Sequence, residues 1–233
     1  MMRFFDQNND TTRQAWVSKT LAALPSSSRI LDAGAGEMKN RQYCNHLIYV
    51  SQDFCEYDGI GAINEGLQSA WDTTGIDLVC DIEAIPAPDA SFDAIICTEV
   101  LEHVPEPTHA LDEFMRLLKP GGVLILTAPF GSNVHMAPYH FCSGFSKYWY
   151  EHHLVQRGFL IEELFANGDW YALLRQEIMR LGGLERSKGS WAWPLGYAYA
   201  LLGMLYFKIR GNKRAEDLAC FGWHCVATKQ TKN

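Results

Sequence analysis

Seven cysteines are present, at positions 44, 55, 80, 97, 142, 220 and 225, but no two stand at the C-x-x-C spacing, and the number is odd. The set therefore reads as small buried hydrophobes in a reducing compartment; Cys80 and Cys97 lie inside apolar runs. No long apolar stretch follows Arg3, so a secretory signal is not expected and the cytoplasm is the expected location, with membrane association through residues 191–207 as a possible addition. A basic excess is also missing. The 20 Lys and Arg are outnumbered by 27 Asp and Glu, and the net charge of -7 argues against a duplex nucleic-acid partner. Internal repeats and low-complexity tracts are absent. What remains is ordinary globular chemistry: 48% apolar and 20% charged residues, enough for a sizeable core, in a length that suits one α/β domain with an elaboration.

The apolar residues fall into short runs separated by helical patterns. A helix is expected from Asp10 or Thr11 to about Leu24, stopped by Pro25-Ser26-Ser27-Ser28. Strands are expected at Arg29–Ala33, at Leu47–Val50 ending on Gln52-Asp53, at Ile76–Cys80 ending on Asp81, and at Phe92–Cys97 ending on Thr98-Glu99. A helix at His109–Leu118 then turns through Lys119-Pro120-Gly121-Gly122 into a fifth strand, Val123–Thr127. A helix over 146–157, a strand over 159–165 and a last strand over 221–228 complete the series. Strands alternating with helices imply βαβ units and a mostly parallel sheet. Ligands of such sheets bind beyond the carboxyl ends of the strands, where Asp32, Asp53, Asp81 and Glu99 would all stand.

Asp32-Ala33-Gly34-Ala35-Gly36 is the sharpest local signal. Gly34 and Gly36 allow a tight turn and close approach of a ligand, and a helix start after them would favour a negatively charged group. Dinucleotide binding requires G-x-G-x-x-G/A, and counting from Gly34 the last position is Lys39, so a nicotinamide-dependent oxidoreductase is disfavoured.

The segment Ile30–Gly36, with Asp53, Asp81-Ile82, the run Ser91–Val104 and Leu117-Leu118-Lys119-Pro120-Gly121-Gly122, resembles the ordered motif set of class I S-adenosylmethionine (SAM)-dependent methyltransferases. The likeness covers about residues 28–130, and more loosely runs to 166. Met38 departs from it, standing where many members have a third glycine. The resemblance implies a Rossmann-like three-layer sandwich with a mostly parallel seven-stranded sheet. Residues 1–233 would form a single domain, with 167–219 as a helical, partly aromatic insertion before the last strand. It implies SAM as cofactor and assigns roles. Asp32, Ala33, Gly34 and Gly36 would surround the methionine part, with Asp32 serving its ammonium. Asp53 would take the ribose diol, Asp81 the adenine amino group, and Ile82 and Phe54 the faces of the ring. Thr98 and Glu99 would close the crevice.

Methyl transfer from a sulfonium is an in-line displacement that alignment and exclusion of water can drive, though a hydroxyl acceptor gains from a general base. His103, just after the fourth strand, is the expected base, and His135 and His140 follow the fifth strand, within reach of the same mouth. Glu99-Val100-Leu101-Glu102-His103 with a downstream histidine also resembles the metal-binding set of small-RNA 2′-O-methyltransferases and some ubiquinone-pathway O-methyltransferases, so a divalent ion is an open alternative to a metal-free site. The expected acceptor is a hydroxyl of a small molecule, a lipid-linked intermediate or a glycan. A non-catalytic SAM-binding partner protein is the second reading. Residues 170–181 read as a helix closed by Gly182-Gly183. Residues 191–207 carry no charge and precede Lys208, Arg210, Lys213 and Arg214, which suits a helix that is buried, covers the acceptor, contacts a second copy, or lies at a membrane interface.

Overall fold

In a computed structural model, which describes residues 7–57, 72–210 and 215–231, the chain divides into two compact units. The larger comprises residues 15–165 and 222–233, the smaller residues 1–14 and 166–221. The N-terminal Met1–Asp6 and the cations Lys213 and Arg214 lie outside the described residues.

A seven-stranded sheet has the order β3-β2-β1-β4-β5-β7-β6. Its strands are β1 (Arg29–Ala33), β2 (Ile48–Asp53), β3 (Leu78–Val79), β4 (Phe92–Thr98), β5 (Leu118–Pro129), β6 (Phe159–Asn167) and β7 (Gly222–Lys229). Each of the first five pairs in parallel with its neighbours in this order, and β7 runs antiparallel to β5. The helices are α1 (Gln7–Ala22), α2 (Pro107–Leu117), α3 (Lys147–Gln156), α4 (Trp170–Ser187) and α5 (Trp193–Arg210). The expected mostly parallel, seven-stranded α/β sheet is therefore present.

Side-chain alternation sorts the central strands. Ile30, Ala94, Ile96 and Ile125 meet Val17 and Leu21 of α1 in one buried cluster, with Trp16, Tyr43 and Tyr49 packed at its margin. The intervening residues Leu31, Ile95, Leu124 and Leu126 are buried as well. Strands apolar on both sides belong to a sheet covered on both faces. Burying each such side chain contributes about 1.5–3 kcal/mol.

Three elements differ from the sequence reading. β3 keeps only Leu78 and Val79, because the Asp77 carboxylate takes the backbone N–H and hydroxyl of Ser51 (2.9 and 2.8 Å) and so substitutes a side-chain contact for a ladder bond. The expected turn Lys119–Gly122 lies inside β5. Phe92 pairs with Leu118 but Ala94 with Val123, so the extra residues form an irregularity, pinned by Lys119 Nζ on Asp93 Oδ1 at 2.6 Å. The third concerns α4, which does not end at Gly182-Gly183 but continues to Ser187.

Packing in the smaller unit accounts for that continuation. A Cβ on Gly196 of α5 would stand 3.0 Å from the Gly182 Cα, and one on Gly182 would stand 2.8 Å from the Tyr197 ring. The glycines are where two helix backbones come together, and the contact stabilises a helix that glycine by itself weakens. Gly196→Ala should therefore destabilise the α4–α5 pair by about 1–3 kcal/mol. Gly203→Ala, whose new methyl meets only the movable Ile178 side chain at 3.1 Å, should cost less. Urea melts of the two variants check this ordering; equal midpoints would refute it.

Candidate functional site

The strand order reverses direction between β1 and β4, since β1 leads outward to β2 and β3 and β4 leads to β5. In open α/β sheets this switch point opens a crevice beyond the strand ends. Gly34-Ala35-Gly36 leaves β1 there and Thr98-Glu99 leaves β4.

The loop after β1 is fastened to the end of β2. Gly34 N donates to Gln52 Oε1 at 3.1 Å, Ala35 N to the Gln52 carbonyl at 2.8 Å, and Gly36 N to Asp53 Oδ2 at 2.9 Å. Gln52 Nε2 in turn donates to the Cys80 carbonyl at 2.7 Å, which ties in the chain after β3. Gly34 has φ +71°, and a Cβ on it would stand 2.5 Å from the Val100 methyls, so no other residue fits. Met38, the position at which the chain departs from the motif it resembles, also has a positive φ of 53°. The backbone shape is kept there without the residue that adopts it most easily.

Asp53 is buried at the crevice side of β2, and its second oxygen accepts from Cys55 N at 2.9 Å. Both oxygens are thereby aimed by backbone donors and retain lone pairs for a diol. Asp81 is exposed, with Oδ1 accepting from Glu83 N at 2.9 Å, and Ile82 beside it is buried. Phe54 meets Tyr139 edge to face at 5.0 Å between centroids.

Asp32 stands deeper than the sequence suggested. It is 1% exposed, accepts from the Tyr49 hydroxyl at 2.6 Å and from Asn40 Nδ2 at 3.2 and 3.3 Å. Asn40 also reaches Thr98 Oγ1 at 3.3 Å, so Asp32 braces the loop against the end of β4. Burial raises its carboxyl from an ordinary 3.8 to about 6, against the lowering effect of Tyr49 and Asn40. Glu99 takes a left-handed conformation (φ 55°), and its Oε1 accepts from Thr127 Oγ1 at 2.8 Å. Gln52, Asn40 and Tyr49 were not singled out from the sequence. Gln52 could have been, as a polar residue ending an apolar run beside Asp53; Asn40 has no such signal.

On the other side of the crevice, His103 closes a 3-10 turn (Leu101–His103). Its Nδ1 bonds to the Tyr139 carbonyl at 2.5 Å, and its Nε2 lies 3.7 Å from Glu102 Oε1. Burial lowers its pKa to about 4, helped by His135 and His140 and opposed by the Tyr139 carbonyl. Phe141 N and Cys142 N both donate to the Glu102 carbonyl (3.0 and 3.3 Å), and Ser132 N donates to Ser143 O at 2.6 Å, closing the loop after β5. The loop thus brings His135 and His140 to His103, with ring centroids 4.6 and 5.9 Å from it.

The family profile described as a methyltransferase domain matches residues 31–126, the stretch that builds this crevice. Over that stretch the chain is similar to methyltransferase domains. Over 109 residues, 44% of each chain, it is 31% identical to the ubiquinone biosynthesis O-methyltransferase of Xanthomonas axonopodis pv. citri (strain 306). It is 34% identical over 118 residues to the demethylmenaquinone methyltransferase of Clavibacter sepedonicus, covering 48% of this chain and 46% of that one. The match thus spans under half the length of these curated relatives. Among solved structures, the chain is similar to the [4+2]-cyclase SpnF (TM-score 0.58, 19% identity, 94% of this chain and 81% of that one). It is also similar to Haemonchus contortus phosphoethanolamine N-methyltransferase 2 in complex with SAM (TM-score 0.53, 14% identity, 95% and 53%). At such identities the likeness establishes the fold, and the presence of a cyclase among these neighbours shows that the fold alone does not fix the reaction.

The Asp32 carboxyl makes a pH prediction. The folded chain keeps this proton up to about pH 6, whereas the unfolded chain loses it near 3.8. Between those values the folded state binds more protons, so this group's contribution to stability falls as pH rises, by up to about 3 kcal/mol. Comparing urea midpoints at pH 4.5 and 7.5 for wild type and Asp32→Asn tests this. The variant should gain relative to wild type on going to the higher pH, and parallel profiles would refute the assignment.

Proposed function

We propose that the protein transfers the methyl group of SAM to a hydroxyl of a small apolar or lipid-linked molecule. The observation that carries the donor half is the Gly34–Gly36 loop fastened to Gln52 and Asp53 at the sheet's switch point. The residues present fit the group. Gly34 leaves no room for a side chain, Asp53 is pre-aimed at a diol by two backbone donors, and Asp81 faces solvent with one oxygen held. SAM supplies an activated methyl on a sulfonium, set for in-line displacement. Asp53 binds the ribose hydroxyls, Asp81 accepts from the adenine amino group, and Ile82 and Phe54 give the ring its apolar walls. Asp32 acts from beneath, holding Asn40 and through it the loop.

On the acceptor side, His103 donates through Nδ1 to Tyr139, which leaves Nε2 with its lone pair at neutral pH. A pKa of about 4 makes it a weak base, so it serves to orient an acceptor hydroxyl rather than to deprotonate it in advance. A hydroxyl acceptor agrees with this chemistry and with the O-methyltransferase among the relatives. Isothermal calorimetry with SAM, S-adenosylhomocysteine and NAD checks the donor. SAM and its product should bind, and Asp53→Ala should weaken both at least about tenfold, the loss of about 1.4 kcal/mol. Binding of NAD but not SAM would overturn the reading. Label from SAM, traced through fractionated extract, should appear in a methyl ether; label on carbon would reject the hydroxyl.

The lipid-linked alternative draws on α5 and the residue pair before it. Trp191, Leu195, Leu201 and Leu202 are 64–86% exposed, a density of bare apolar side chains that suits an interfacial surface. No helix among the described residues is long and apolar enough to cross a membrane. Co-sedimentation with anionic phospholipid vesicles should drop several-fold in a Leu201→Ser/Leu202→Ser variant. Unchanged sedimentation would remove the membrane contact and leave a freely dissolved acceptor.

A further inference from the structure

We propose that His103, His135 and His140 form a three-imidazole site for a divalent transition metal such as zinc or cobalt. One ligating nitrogen from each falls within 4.8 Å of the other two, and this is the metal-competent group found among the described residues. The three come from two segments, the 3-10 turn after β4 and the loop after β5, so local chain geometry does not force His103 onto the other two.

Hydrogen bonding has already sorted the ring nitrogens. His103 Nδ1 is bonded to the Tyr139 carbonyl, and His135 Nδ1 to the Asn133 carbonyl at 2.9 Å. A carbonyl requires the N–H tautomer at that atom, which leaves both Nε2 atoms with lone pairs. This is the outer-shell arrangement that orients metal-bound histidines. His140 is the independent sign. Both of its ring nitrogens are shielded from solvent and neither has a hydrogen-bond partner. Buried polar atoms without partners are rare, and an ion on one of them removes the deficit.

The donor chemistry selects the ion. Three neutral nitrogens suit zinc, cobalt, nickel or copper, whereas magnesium and calcium require oxygen. Neither Glu99 nor Glu102 joins the group; Glu99 Oε1 accepts from Thr127 instead. The site therefore differs from a carboxylate-rich set. Tetrahedral coordination at about 2.0–2.1 Å places ligand nitrogens about 3.3 Å apart, so binding would draw the loop inward by about 1 Å. Three protein ligands leave a fourth position open. The lone pair of His103 Nε2 serves either the metal or an acceptor hydroxyl, not both.

Cobalt(II) tests this without reference to methyl transfer. Chelator-treated protein titrated with Co(II) should develop visible d–d absorption of tetrahedral intensity and saturate at about one equivalent. His135→Ala and His140→Ala should each weaken binding at least about tenfold. Glu99→Gln should bind Co(II) like wild type, and excess magnesium should not compete. Far-ultraviolet circular dichroism confirms that each variant is folded, and SAM calorimetry is read on the wild-type protein. Absence of the absorption, its persistence in both histidine variants, any loss of it in Glu99→Gln, or competition by magnesium would each overturn the three-imidazole assignment. Because SAM calorimetry is read separately, failure here is distinguishable from failure of the methyltransferase reading.

Discussion

The hydrogen bond from Gly36 N to the Asp53 carboxylate joins the turn after one strand to the end of the next. The same carboxylate accepts from Cys55 N, and its neighbour Gln52 holds Gly34 N on one side and the Cys80 carbonyl on the other. Two adjacent polar residues thereby set the relative heights of three strand ends. Charge-assisted hydrogen bonds are short and directional, and here they fix backbone rather than flexible side chains. Whatever the crevice binds therefore meets a wall that needs little rearrangement.

Strain collects around that wall. Met38, Cys55, Glu99 and Met136 all have φ between 52° and 57°, a region that costs a residue with a side chain about 1–2 kcal/mol. Met38 and Cys55 flank the fastened loop and the end of β2, Glu99 ends β4, and Met136 lies beside His135. Such conformations persist where surrounding contacts over-determine them, and they concentrate at functional sites. In this molecule the contacts are visible: Asn40 beneath the first loop, Thr127 against Glu99, and the Glu102 carbonyl under the second loop.

The sheet was legible because its strands are buried on both faces and read as unbroken apolar runs: Arg29–Ala33 and Phe92–Cys97 agree with the structure to within a residue. The short β3 was over-read, since hydrophobicity at Ile76–Val79 does not reveal that the Asp77 side chain replaces a ladder bond. Gly182-Gly183 looked like a helix end because glycine usually is one; only the approach of Gly196 shows it to be a crossing point. At the site, the acids were legible as strand-ending polar residues. The depth of Asp32 was not, because it depends on Tyr49 and Asn40, which are distant in pattern though near in space. The sequence drew attention to the carboxylates next to His103 as ligands, and to His135 and His140 only as residues able to reach the same mouth. The structure gathers His135 and His140 across more than thirty positions instead.

The loop after β5 is closed at its base by Ser132 and Ser143, and its backbone is held by the Glu102 carbonyl and the His103 ring. Its attachment uses backbone atoms, which every amino acid supplies. Residues 133–142 can therefore be exchanged in evolution without disturbing the fastening at Gln52 and Asp53. Such a division separates the two sides of the crevice, and it makes this loop the natural place to graft a different specificity.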